Sequence, residues 1–225
     1  MDAVWPALWL SLKVAGCATL ANAVLGVGTG WLLSRRAFAG RELLDSVLTL
    51  PMVMPPTVLG YYLLVLLGQQ GALGQWLWSQ WGIRLVFSWQ GAAIAAAVVV
   101  FPLVFRTART AFEQVPAALE QTARTLGLSG WALFWRVSLP LAWPGILAGL
   151  LLGFARALGE FGATLMVAGS IPGRTQTLSV AIYEAVQTGD AEAASRLIQV
   201  TVLLCVSLLL LAGWLSQRAQ RWRKL

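Results

Sequence analysis

Polar positions thin out in five places along this chain. Residues 14–34, 46–83, 85–105, 137–155 and 197–217 contain no charged side chain. A helix needs about 20 mostly apolar residues to cross a bilayer, so each run is long enough for one crossing. One such run could be a buried helix of a soluble core, but five in a chain of 225 residues argue against that. The pattern predicts an all-α, polytopic membrane protein. It forms a single transmembrane domain over residues 1–225, with five spans at about 10–34, 46–67, 87–106, 138–158 and 196–217. A further apolar stretch, 161–173, is too short for a full span and suits a re-entrant or interfacial segment. Non-helical backbone at membrane depth is tolerated only against protein or a wet cavity, so this piece is expected to face a pathway.

Composition agrees with the pattern. Hydrophobic residues make up 58% of the chain and charged residues 11%, against about a quarter charged in soluble domains. Trp5, Trp9, Trp31, Trp76, Trp78, Trp81, Trp89, Trp143 and Trp214 stand at the edges of the runs, where an apolar ring with a polar N–H fits the membrane–water boundary. Cys17 and Cys205 lie inside apolar runs and read as packing residues. There is no His, which removes the commonest metal ligand and general base. Asp2 occupies the place where a secretory signal carries basic residues, so the first apolar stretch is expected to be retained.

Charge sets the expected topology. Arg35, Arg36 and Arg41 fall between the first two spans, and Arg106, Arg109, Arg124 and Arg136 between the third and fourth. Arg218, Arg221, Arg223 and Lys224 form the tail. The alternate loops hold only Arg84, Arg174 and Arg196. Basic residues stay on the cytoplasmic side, which predicts an outer N-terminus, five crossings and a cytoplasmic C-terminus. The net charge of +7 is thus a topology signal. It does not point to nucleic acid, because no nucleic-acid-binding motif accompanies it.

The predicted cytoplasmic segment 106–140, with its loop at 107–137, is too long for a plain connector. Pro116 suits the first position of a short helix, Glu120 and Arg124 form an i,i+4 pair in the favourable order, and Gly127 is a natural stop. Ser129 can cap a second helix through Trp131, Leu133, Phe134 and Trp135, with Pro140 one turn into the next span. The aromatic half of this knob fits either a docking partner or the bilayer surface.

Here the chain resembles a known family. Gln121-Thr-Ala-Arg-Thr-Leu-Gly127, followed after nine residues by Val137-Ser-Leu-Pro140, is similar to the EAA loop of ABC importer permeases. Gln121 replaces the usual Glu, Thr122 the first Ala, and Val137 an Ile; Glu120 stands one place early. Arg41 with Leu50-Pro-Met-Val-Met-Pro-Pro-Thr57, Phe87-Ser-Trp-Gln-Gly91, Ala155-Arg-Ala-Leu-Gly-Glu-Phe-Gly-Ala-Thr164, and Ile171-Pro-Gly173 with Thr175 and Thr177 resemble the molybdate permeases. That group also serves sulfate and tungstate. The resemblance implies a type I ABC importer permease fold in the bacterial inner membrane, with Glu120, Gln121, Ala123, Gly127, Leu139 and Pro140 in the loop that couples to an ATPase. It also implies two copies of the chain, two cytoplasmic ATPase subunits that bind ATP and Mg, and a periplasmic oxyanion-binding protein. The chain has no Gly-Lys-Ser or Gly-Lys-Thr phosphate loop, so ATP is expected on the partner and no cofactor on this chain.

Pathway and gate candidates follow from residues that are unusual in a span. Pro55, Pro56 and Thr57, with Pro51 before them, can free backbone carbonyls along a polar path or simply kink a helix. Arg156 and Glu160 lie on one helix face; they fit an outer gate hinged at Gly159 and Gly162, beside Thr164, or an interfacial ion pair. Lys13 places a charge near the outer mouth or snorkels. Gly145, Gly149 and Gly153 recur every fourth residue as a close-packing face, and Gly26, Gly28 and Gly30 read the same way. The rival readings are a sulfate or tungstate permease and, from another class, a secondary transporter. The latter would want an internal repeat and ionisable residues deep in the spans.

Overall fold

The computed structural model describes residues 4–35 and 38–221, with side chains as far as Leu215 in the last helix. Asp2, Arg36, Arg223 and Lys224, and the side chains of Arg218 and Arg221, lie outside the described residues. Every regular element among the described residues is helical. Four helical stretches are long and apolar enough to cross a membrane: Val4–Arg35, Trp89–Glu113, Gly130–Leu158 and Ala191–Leu215. A bent pair, Arg41–Val53 with Pro56–Leu67, makes a fifth candidate span.

In chain order the helices are α1 (Val4–Arg35), α2 (Arg41–Val53), α3 (Pro56–Leu67), α4 (Ala72–Trp81), α5 (Trp89–Glu113), α6 (Ala117–Thr125) and α7 (Gly130–Leu133). A π turn at Phe134–Ser138 joins α7 to α8 (Leu139–Leu158), and α9 (Gly162–Ala168), α10 (Leu178–Gln187) and α11 (Ala191–Arg221) complete the chain. α5 is the central helix, packed by α1, α8, α9 and α2. Its alanines Ala92, Ala93, Ala95 and Ala96 are buried, and small side chains let neighbouring backbones close in where dispersion replaces the hydrophobic effect. Asn22 of α1, 1% exposed, donates to the Ala97 carbonyl at 3.0 Å. The glycine ladder Gly145, Gly149 and Gly153 of α8 lies against Ala111, Thr107 and Val104 of α5. Gly26 and Gly30 of α1 likewise face α5, whereas Gly28 faces open space.

Three features differ from the expected elements. The second run is broken rather than continuous: its two helices are bent by 109° at the prolines. Met54 precedes Pro55 and is driven into an extended conformation (φ −70°, ψ 141°); the Pro55–Pro56 pair then removes two donors in succession. The second helix of the knob is also not separate. α7, the π turn and α8 form one continuous helix, with Leu139 N–H bonded to the Phe134 carbonyl across the π turn just before Pro140. The wider turn accommodates the donor lost at the proline. Finally, α4 and α10 are helices where connectors were expected. By contrast α11 is 6% buried over its span window against 56% for α5, so its apolar surface faces lipid or another chain.

Candidate functional site

The knob between α5 and α8 sits at the end of the bundle where α1 and α5 terminate. α6 starts after Pro116, which is the N-cap (φ −59°, ψ 123°) rather than the first helical residue. It stops at Gly127, whose φ of +84° is the left-handed region that favours glycine. Gly127 N–H donates to the Arg124 carbonyl at 2.9 Å and Leu128 N–H to Ala123 at 3.1 Å, so two of the helix's last carbonyls are satisfied. Ser129 Oγ accepts from Ala132 N–H at 3.3 Å and starts α7.

The two faces of α6 are chemically different. Glu120 and Ala123 are buried, while Leu119, Gln121, Arg124 and Leu126 are exposed. The Glu120 carboxylate pairs with the Arg35 guanidinium at the end of α1 and accepts the Ser138 hydroxyl at 2.7 Å. Arg35 also donates to the Phe112 carbonyl near the end of α5 at 3.3 Å. The expected Glu120–Arg124 pair therefore does not form. A carboxylate only 8% exposed needs a cation and further donors, and Arg35 with Ser138 supplies both from the bundle side. This node joins α1, α5, α6 and the π turn. Neither the charge pattern that includes Arg35 nor the Val137–Pro140 motif that includes Ser138 marks these two as partners of Glu120; the available signal is a cation at the end of a long helix together with an acid on a short one.

The aromatic cluster divides in the same way. Phe134 packs inward, 4.7 Å from the Trp31 ring and 6.0 Å from Phe112. Trp131 and Trp135 turn outward and are 66% and 52% exposed. Leu139 is half-buried against the core, and Gly127 and Pro140 are exposed. Beside the knob, Arg109 pairs with Asp45 and bonds Glu113 at 2.9 Å, which Arg41 also reaches at 3.0 Å. These charges fasten α2 to α5.

The gate candidates converge where α3 and α9 begin. A methyl group added to Gly162 would lie 3.0 Å from Pro56 Cβ and 3.5 Å from Thr57 N, and one on Gly60 2.9 Å from Ala163 Cα. The two helices thus meet almost backbone to backbone. Glu160, 2% exposed, accepts from Arg156 Nη1 at 2.8 Å and from Ala163 N–H at 3.0 Å. It brackets the end of α8 to the first turn of α9, whose free N–H groups favour a carboxylate. Pro55 caps α3. Thr164 is buried, and its hydroxyl has no partner among the described residues. Gly159 has an ordinary backbone conformation (φ −85°, ψ 6°) that asks for no glycine. Phe87, the first residue of the Phe87–Gly91 motif, sits at a positive φ of 57°, a backbone conformation that no local sequence pattern marks.

Comparison with known proteins places this architecture. A model of the binding-protein-dependent transport system inner membrane component matches residues 23–221. The molybdenum transport system permease protein ModB of Escherichia coli K12 is 48% identical over 217 residues, covering 96% of this chain and 95% of that one. ModB of Haemophilus influenzae is 46% identical over 216 residues, covering 96% and 94%. The sulfate transport system permease protein CysW of Synechocystis is 41% identical, covering 94% and 76%. Among solved structures, the inward-facing MetNI methionine ABC transporter superposes with a TM-score of 0.76 at 16% identity, covering 96% of both chains. A bacterial alginate importer gives 0.77 at 15%, covering 97% and 80%. These relatives are transport subunits rather than enzymes, and with a matching family model over most of its length and several spans, the chain is a multi-pass member of the family of binding-protein-dependent transport system inner membrane components.

Proposed function

We propose that the chain is the permease subunit of an ATP-driven oxyanion importer, with molybdate as cargo, and that α6 is its coupling helix. The observation that carries this is the two-faced α6. Its inner side is fastened to the membrane helices through Glu120, while its outer side presents Leu119, Gln121 and Leu126 beside Trp131 and Trp135. Exposed apolar groups on a fixed helix suit a protein partner. That partner is a separate ATPase carrying ATP and Mg. In this reading Gln121 and Gly127 belong to the docking surface, whereas Glu120 and Ala123 hold the helix in place and Leu139 and Pro140 anchor it to the span.

The assembly contains two copies of the chain, two ATPase subunits and a periplasmic oxyanion-binding protein. Its N-terminus is outside and its C-terminus cytoplasmic; α11 faces lipid. Closure of the ATPase dimer draws the two knobs together. The motion passes along the continuous helix Gly130–Leu158 to the Arg156–Glu160 bracket and on to the junction of Pro55, Pro56 and Thr57 with Gly159, Gly162 and Thr164. This is rigid-body gating about a pathway. Membership of the binding-protein-dependent family argues against the secondary-transporter alternative.

Support for molybdate comes from the two ModB relatives. A sulfate cargo is the second reading, favoured by the 41% identity to CysW. The docking assignment is tested by copurification of the ATPase with the Leu126→Glu variant, Leu126 being 76% exposed. The expected result is normal membrane insertion with loss of the ATPase. Retention of a fully stimulated ATPase would remove α6 as the coupling surface.

A further inference from the structure

At the end of the bundle opposite α6 lie two neighbouring cavities of about 580 and 460 Å³. Arg84 and Arg174 line the first, Lys13 and Arg174 the second, and no Asp or Glu lines either. They share Phe87, Ser88 and Arg174. Three cations therefore surround one vestibule on the face where the charge rule expects few. Two of them are held by rings rather than by acids. Lys13 Nζ stands 3.5 Å over Trp89 and Arg84 Cζ 4.3 Å over Trp78. A ring quadrupole positions a cation without neutralising it. Arg174 forms no ion pair with any described carboxylate. Glu184, bonded to the flanks of the same turn, is occupied by the Ser170 hydroxyl and the Gln176 amide.

We propose that this vestibule is an anion site that takes a tetrahedral oxyanion, with Arg174 as the shared cation and Lys13 and Arg84 on either side. The proposal rests on the oxyanion-importer reading and adds to it a holding site outside the α3–α9 junction. Low-dielectric walls and like-signed charges concentrate counter-ions in such a cleft. The same chemistry fits the phosphate of a lipid headgroup, since Trp76, Trp78 and Trp81 of neighbouring α4 are exposed as residues at a membrane surface are.

The test uses the assembled permease–ATPase complex in nanodiscs without binding protein, comparing wild type with Arg174→Glu. Molybdate binding is measured by equilibrium dialysis in phosphatidylcholine, and retention of phosphatidylglycerol by native mass spectrometry in mixed discs. A loss of molybdate binding of at least tenfold, largely restored in Arg174→Lys, establishes a free oxyanion as the occupant. Unchanged molybdate binding with loss of bound phosphatidylglycerol establishes a lipid phosphate. If neither changes, the site is refuted. Basal ATP hydrolysis reports folding, and the Lys13→Gln, Arg84→Gln pair, on other elements, gives a second reading should Arg174→Glu fail to assemble. Failure here leaves wild-type oxyanion uptake in cells intact, whereas failure of the importer reading abolishes it for wild type as well.

Discussion

Glu120 shows how one side chain decides what a surface helix does. Its carboxylate holds Arg35 and Ser138, so the side chain that motif spacing offers to a partner is committed inside the chain. Glu120→Ala removes a charge-assisted pair and leaves Arg35, 25% exposed, without its counter-charge. Since hydrogen bonds to charged groups contribute about 1.5–3 kcal/mol, the expected loss is about 2 kcal/mol, lowered by partial solvation of Arg35. A drop in the thermal midpoint of the purified permease checks this, with Gln121→Ala unchanged as the exposed neighbour. The inward role of Glu120 was not legible in sequence. The local i,i+4 spacing favoured Arg124 equally well, and the winning partners lie 85 and 18 residues away. Gly127 and Ser129 were legible, because a left-handed stop and a side-chain cap are local chemistry.

Among elements, those set by the bilayer could be read and those set by neighbours could not. The apolar runs appear as spans because a fixed hydrocarbon thickness demands uninterrupted length. α4 and α10 have ten residues each and leave no such trace. The 109° turn between α2 and α3 was visible as prolines but not as an angle, which depends on how α3 packs on α9. The fourth-residue glycines did announce a contact, and the contact is between α8 and α5. A methyl on Gly149 would lie 2.0 Å from Thr107 Oγ1 and 2.8 Å from its Cβ. That hydroxyl is held by the Leu103 and Val104 carbonyls, so it does not swing aside. Gly149→Ala is expected to cost about 1–3 kcal/mol by overpacking, whereas Gly28→Ala, with nothing within 4 Å, is neutral or stabilising by helix propensity. Protein yield and thermal midpoint in detergent compare the two. Thr107→Ala in the Gly149→Ala background recovers part of the loss.

For the whole molecule, the knob and the vestibule stand at opposite ends of one packed unit. α1 and the continuous Gly130–Leu158 helix run between them, and α5 fills the centre. In the proposed mechanism a displacement at α6 travels along this helix to the Arg156–Glu160 bracket, which ties the end of α8 to the start of α9. Apolar sides of α3 and α11 remain exposed, with Tyr61, Tyr62, Leu203 and Leu210 all above half exposure, as surfaces that face lipid or another chain are. The central claim, an ATP-driven oxyanion permease, is tested most directly by cell-associated molybdenum at trace molybdate. A strain lacking this gene is compared with and without the gene restored, in the presence and absence of excess sulfate. Restored accumulation that sulfate barely reduces is the predicted result. Unchanged molybdenum together with unchanged sulfate uptake would contradict the account.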